Sequence, residues 1–136
     1  MNTSSIILLL ALTSLFVLSE SILVPEKMQV LIYNDLTQGK DLIVHCKSKD
    51  DDLGVRHIAY GNNFEFHFRP TFLRRTLFHC TFQWDTVTHR FDIYVQVRDY
   101  FVCRHCVWKV GFDGPCLFAN HKICYSWGSL AARRLN

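Results

Sequence analysis

The chain has 136 residues, 49% hydrophobic and 20% charged, with 15 Lys and Arg against 12 Asp and Glu. This balance excludes an acidic disordered polymer, a collagen-like repeat and a multi-domain enzyme, and a net charge of +3, scattered among carboxylates, does not suit a nucleic-acid binder. The 11 Phe, 5 Tyr and 3 Trp, with only 6 Gly and 3 Pro, call for one small aromatic core.

The first element is Ile6 to Leu18, an apolar run broken only by Thr13 and Ser14 and followed by the small residues Ser19 and Ser21. As a helix it spans about 20 Å, short of a ~30 Å hydrocarbon core, so it reads as a secretory signal rather than an anchor. Cleavage is expected after Ser21, leaving residues 22–136 as one domain. The leader removes Glu20 and no Lys or Arg, so the remaining 15 cations face 11 acids, a charge of +4.

Beyond Met28 the apolar residues recur with period two, the pattern of half-buried strands. Val30 and Ile32 alternate with Leu31 and Tyr33, and Leu42, Val44 and Cys46 share one face of the next segment. Phe64, Phe66 and Phe68 alternate with Glu65, His67 and Arg69. Phe78, Cys80, Phe82 and Trp84 follow, then Phe91, Ile93, Val95 and Val97, then Cys106, Trp108 and Val110, and last Ile123, Tyr125 and Trp127. Turn residues fall between these runs at Gly39, Asp52 to Gly54, Gly61 with Asn62 (suited to a two-residue hairpin), Pro70, Asp85 to Thr88, and Asp113 to Pro115. The expected fold is all-β, a disulfide-bonded antiparallel β-sandwich of about eight strands.

Export places Cys46, Cys80, Cys103, Cys106, Cys116 and Cys124 in an oxidising compartment, so three disulfides are expected rather than a zinc site built on the Cys103–Cys106 CxxC. A local turn favours joining Cys116 to Cys124, with Cys46 and Cys80 tied to the CxxC region. Bridges over such distances are nominally worth about 4 kcal/mol each in the chain-entropy model.

Asp50, Asp51 and Asp52 form an acidic run that could ligate calcium, but adjacent side chains diverge around a turn. A solvated turn with Asp52 bonded to its own backbone is the preferred reading. The 7 His raise a ribonuclease alternative. No pair of them has a catalytic frame, no glycine-framed serine elbow is present, and no phosphate loop occurs. The stretch Arg69, Pro70, Thr71, Phe72, Leu73, Arg74, Arg75 joins two strong strands and combines cations with apolar side chains, which suits partner recognition.

The segments VLIYNDL (Val30 to Leu36), HCKSKDDDLG (His45 to Gly54), TLFHCTFQW (Thr76 to Trp84) and FDIYVQVRD (Phe91 to Asp99), with the CxxCxW of Cys103, Cys106 and Trp108 and the GPC ending at Cys116, closely resemble the plant self-incompatibility S1 proteins, or S-protein homologues. The resemblance covers nearly the whole mature chain. It implies a small secreted disulfide-bonded sandwich that is a ligand and not an enzyme. In poppy such proteins are stigma-side determinants, recognised by a pollen membrane protein whose response stops self pollen. The only sequon, at Asn2, lies in the leader, so no N-glycan is expected on the mature chain. The function expected is therefore that of an extracellular signalling ligand, a monomer read by a plasma-membrane receptor, with no cofactor, metal, nucleic acid or membrane insertion. The candidate contact residues are Asp50, Asp51, Asp52, Arg69, Phe72, Arg74 and Arg75, with a further loop at Asp85 to His89. A secreted hydrolase and a membrane-active defence peptide are the alternatives.

Overall fold

The computed structural model describes residues 2–72 and 75–128, with the side chains of residues 18–23 left aside. Helix α1 (Thr3–Leu23) is capped by Asn2, whose Oδ1 accepts from Ser5 N at 2.9 Å. Its Ile6, Leu10, Leu15 and Phe16 are all exposed. Among the described residues no helix is long and apolar enough to cross a membrane.

The rest is a two-sheet sandwich with nine strands among the described residues: β1 (Met28–Asn34), β2 (Leu42–Lys47), β3 (Asp52–Ile58), β4 (Asn63–Phe68), β5 (Leu77–Trp84), β6 (Val87–Val95), β7 (His105–Val110), β8 (Pro115–Phe118) and β9 (Lys122–Cys124). A short helix, α2 (Gln96–Asp99), follows β6. The sheets run β4-β1-β7-β8-β9 and β3-β2-β5-β6. All pairings are antiparallel except β1 with β7, which is parallel. The chain reaches β7 from β6 through α2, which carries it across to the other sheet beside β1.

Period-two alternation buries what it should. Val30, Ile32, Val44, Phe82, Phe91 and Trp108 are fully enclosed. The phenylalanine strand β4 joins the layers: Phe66 lies 4.9 Å from Phe78, and Phe68 lies 4.7 Å from both Phe78 and Tyr94. Contacts of this kind add about 0.5–1.5 kcal/mol each beyond area burial. Tyr94 sits wholly inside, and burial, followed by the Asp99 carboxylate and Tyr100, pushes its phenol pKa up.

Several expectations change. The turn expected at Asp52 to Gly54 lies earlier, because Ser48 N donates to Asp51 O at 2.8 Å and β3 already begins at Asp52. Gly61 and Asn62 do not make a hairpin. Asn62 N bonds Ala59 O at 3.0 Å with Gly61 at φ +80°, a corner that carries the chain from one sheet to the other. A register shift between Phe78 and His79 lets Tyr94 take the inner face opposite Phe78, and Val97 falls in α2 instead of extending β6. Tyr125 and Trp127 lie beyond β9 and pack against the core from an irregular segment.

The disulfides are Cys46–Cys80, Cys103–Cys106 and Cys116–Cys124. The local Cys116–Cys124 pairing is as expected; the linkage of Cys46 and Cys80 to the CxxC is not. Cys46 and Cys80 face each other directly on adjacent β2 and β5, with Cα atoms 4.0 Å apart, while Cys103 closes on Cys106. Strand pairing therefore decides the bridges, since a disulfide needs Cα atoms closer than about 7 Å.

Candidate recognition surface

Strand directions gather the connections at two ends. Residues 48–51, 69–72, 75–76, 96–104 and 119–121 cap one; residues 35–41, 59–62, 85–86 and 111–114 cap the other. The first end is charged. Its β2–β3 turn is tightened by Asp51 N donating to Ser48 Oγ at 3.1 Å. Asp52 turns back onto its own strand, where Oδ1 accepts from Gly54 N at 2.9 Å and contacts His45 Nε2 at 2.6 Å, while Lys47 Nζ stands 3.9 Å from the other oxygen. The Gly54 N–H, then the His45 ring, hold the Asp52 carboxyl below the usual carboxylate range. Gly54 has φ +77°, which permits this turn-back without strain.

The β4–β5 connection is pinned by Gln96. Thr76 N donates to Gln96 Oε1 at 2.8 Å, Gln96 N to Thr76 O at 3.0 Å, and Gln96 Nε2 to Thr71 O at 3.3 Å. Arg69 donates to Pro25 O and so ties the segment entering β1 to this end. Beneath lies a half-buried ion pair: Asp99, 1% exposed, accepts from Arg98 Nε at 2.6 Å, from Arg98 Nη2 at 2.7 Å and from Val95 N at 2.8 Å. The Arg98 guanidinium lies 5.2–5.6 Å from the rings of Phe91, Trp108 and Tyr125, closing the open side of the core with a cation over aromatic faces.

These constraints leave an open cleft of about 430 Å³ between two of the expected loops, with Lys49, Asp50, Asp51, Arg69, Arg75 and His79 among its walls. The structure thus brings Asp50 and Asp51 together with Arg69 and Arg75. Asp52 is turned away to His45, and Phe72 stands 62% exposed just after the cleft residue Thr71. Arg74 and Leu73 lie outside the described residues. The Asp85 to His89 loop is at the opposite end, where Asp85 pairs with Lys40 at 2.6 Å and the His89 ring stacks on Trp127 at 4.5 Å.

Sequence reasoning missed the 96–104 connection, whose Phe101 is 95% exposed, because Val95 and Val97 extend the alternation through what proves to be a helix. The polar and charged residues Gln96, Arg98 and Asp99 around Val97 were the available signal. Among the described residues no three His, Cys, Asp or Glu side chains are grouped as a metal site requires, and the three adjacent aspartates do not converge on one point.

Comparison with known proteins places this surface in context. The family model for plant self-incompatibility protein S1 matches residues 29–127. Among relatives, S-protein homolog 5 of Arabidopsis thaliana is 40% identical over 72% of this chain and 77% of its own length. S-protein homolog 2 of the same plant is 41% identical over 80% of this chain and 73% of its own. A solved self-incompatibility protein homologue, of a family described as widespread, small, highly stable and secreted in plants, superposes with a TM-score of 0.57 over 77% of this chain and 97% of that one. At 15% identity this likeness speaks for the fold alone. With the family model spanning β1 to Trp127 and relatives near 40% identity, the chain belongs to the plant self-incompatibility protein S1 family of S-protein homologues.

Proposed function

We propose that the protein is exported, loses its leader after Ser21, and acts outside the cell as a signalling ligand read by a plasma-membrane receptor at its charged end. The observation that carries the reading is the cleft in which Asp50 and Asp51 meet Arg69 and Arg75 from a separate loop. Opposed charges on pinned loops suit orientation-specific docking to a protein, because complementary potentials fix register and suppress wrong partners. The hydrogen bonds between Gln96 and Thr71 and Thr76, and from Asp51 N to Ser48 Oγ, hold the described parts of these loops, which lowers the ordering entropy that binding must overcome. The exposed, apolar α1 fits a leader removed before the domain functions, and the secreted character described for the structural relative fits the same route.

The experiment is a binding assay of the oxidised protein, recovered from a secreting host, on plant plasma membranes. Saturable binding is expected, with crosslinking to a single membrane protein. The double charge reversal Asp51→Lys, Arg75→Glu is expected to lower affinity by at least about tenfold, the effect of roughly 1.4 kcal/mol. Non-saturable binding, or binding unchanged by the reversal, counts against the cleft. Mass spectrometry of the secreted chain checks the leader: its N-terminus should be Ile22.

A further inference from the structure

Strands β4, β9, β3 and β6 end the two sheets, and three of these edges are guarded. β9 is three residues long and carries Lys122. β3 is interrupted by Gly54 at φ +77° and by a register shift against β2 between His45 and Lys47. On β6, Arg98 Nη2 donates to Asp92 O at 3.0 Å and Val95 N donates to Asp99 Oδ2 at 2.8 Å, so side chains take those backbone groups. Short strands, lysines, bulges and covering side chains are the means by which sheets keep their edges from pairing. β4 has none of them: its six residues include no Gly, Pro or Lys and hold one unbroken register with β1.

The hydrogen bonds around β1 show which β4 groups are left over. Gln29 N donates to Arg104 O and Asp35 N to Val110 O on the β7 side, while Asn34 N donates to Asn62 O on the β4 side. Successive residues of a strand bond to opposite neighbours, so the even-numbered residues of β1 bond to Phe64, Phe66 and Phe68, which lie across from them. The N–H and C=O groups of Glu65 and His67 therefore point away from the sheet. Both residues are exposed, and nothing among the described residues bonds these groups. Arg56 of β3 lies over the Phe64 ring at 4.9 Å and donates to Leu53 O of its own strand, so it takes none of them.

We propose that β4 is a dimerisation edge, paired antiparallel with β4 of a second copy of this chain about a two-fold axis at Phe66. The strand's own order argues for that occupant. A two-fold contact sets residue i across from j and j across from i, so it needs a segment that complements its own reverse. Read outward from Phe66, β4 is such a segment: Phe64 faces Phe68 of the second copy, and Glu65 faces His67. The outward groups of Glu65 and His67 then close as hydrogen-bonded pairs, with facing Cα atoms about 5.5 Å apart. Each carboxylate meets an imidazole, which has an N–H to donate whether neutral or charged. Gln29 Nε2 occupies only Oε2 of Glu65, at 2.8 Å. Neighbouring registers fit less well. Centring on Glu65 sets two carboxylates face to face, and centring on His67 sets imidazole on imidazole and gives Glu65 only Arg69, which already donates to Pro25 O. The pairing joins two five-stranded sheets edge to edge, and it departs from the monomer that the sequence suggests. The inference does not rest on the receptor reading.

The test is sedimentation equilibrium of the oxidised protein recovered from a secreting host. The mass is expected to rise with concentration from one chain to two and to stop there, because a two-fold contact closes on itself. His67→Pro removes an outward donor that the monomer does not use, so it should leave single chains at every concentration with the unfolding transition in place. His67→Glu sets like charges face to face twice and should weaken the dimer by about tenfold or more. Adding Glu65→Lys to that variant restores opposite charges across the axis and should recover the dimer, an independent reading should the proline variant fail to fold. Single chains at the highest concentration reached, growth beyond two, a dimer indifferent to His67→Glu, or no recovery in the double variant would each overturn the proposal.

Discussion

The two ends of the sandwich are built from opposite materials. The end formed by residues 35–41, 59–62, 85–86 and 111–114 is a packed pile of rings: Trp84 lies near Phe112 and Trp127 at 6.0 Å each, and Trp127 stacks on His89 and contacts Phe82 at 5.6 Å. One buried polar group fastens it, while Asp35, Asp41 and Asp113 stay exposed. Asn34, 1% exposed, donates to Lys40 O at 2.7 Å and Ile58 O at 2.8 Å and accepts from Leu36 N at 2.9 Å, fastening the β1–β2 connection to the end of β3. The charged end leaves Asp50, Asp51 and Arg75 on the walls of an open cleft and Phe72 and Phe101 in solvent, over the half-buried Arg98–Asp99 pair. Loops at a sandwich end are equally exposed in principle, yet here one end lines an open cleft with opposed charges while the other sets its exposed acids, Asp35, Asp41 and Asp113, beside stacked rings. The Asp85 to His89 loop looks like a recognition loop by composition and is structural by contact.

The sharpest way to break the contrast is at Gly114. It has φ +151°, and a Cβ there would lie 1.7 Å from the carbonyl oxygen of Tyr125, so Gly114→Ala must displace backbone rather than a side chain. A loss of about 4 kcal/mol or more is expected in chemical denaturation, among the largest values single substitutions give. Next comes Asp99→Ala, which strands Arg98 among Phe91, Trp108 and Tyr125 and should cost about 3 kcal/mol by the same measurement. Substitution at the cleft rim sharpens the comparison from the other side. Asp51→Lys with Arg75→Glu should change stability by no more than about 0.5 kcal/mol per site, because those groups face solvent. A large loss would make the charged end structural too.

The smallest effects are in pH dependence, and they differ between the ends. Burial holds the His89 imidazole below its ordinary pKa, so protonation favours the unfolded chain. Its contribution is complete above about pH 6.5 and is lost as the pH falls below that value toward the lower folded one. His89→Gln should flatten the slope of stability against pH in that window. At the charged end the Asp52 carboxyl is held low by the Gly54 N–H and His45, so its contribution is present above the ordinary carboxylate pKa of 3.8 and lost in stronger acid as the pH falls through the depressed one. Asp52→Asn should remove that strongly acid slope and leave the His89 window untouched. Denaturation series across pH separate the two.

Much of this molecule could be read in one dimension. Alternation alone identified β1, β2, β4, β5 and β7 and their inward residues, because a strand with one buried face must repeat every second residue. β3 escaped because it is an edge strand exposed over most of its length, so no alternation marks it. The cleft was legible in halves: its acidic and basic loops were visible as composition, but not that they share one end while Asp85 to His89 belongs to the other. Arg98 reads as a surface cation and is a lid on the core.

What the chain determined by itself is whatever depends on local period and composition: an apolar N-terminal run, strand-forming segments, six cysteines and the set of charged connections. Tertiary structure decided everything that depends on which strands are neighbours. The parallel union of β1 and β7, the direct apposition of Cys46 and Cys80, and the placing of Asp50 and Arg75 on one cleft all follow from pairing across long sequence separations. Such pairings are selected by how whole faces bury together, and local pattern is common to many of them.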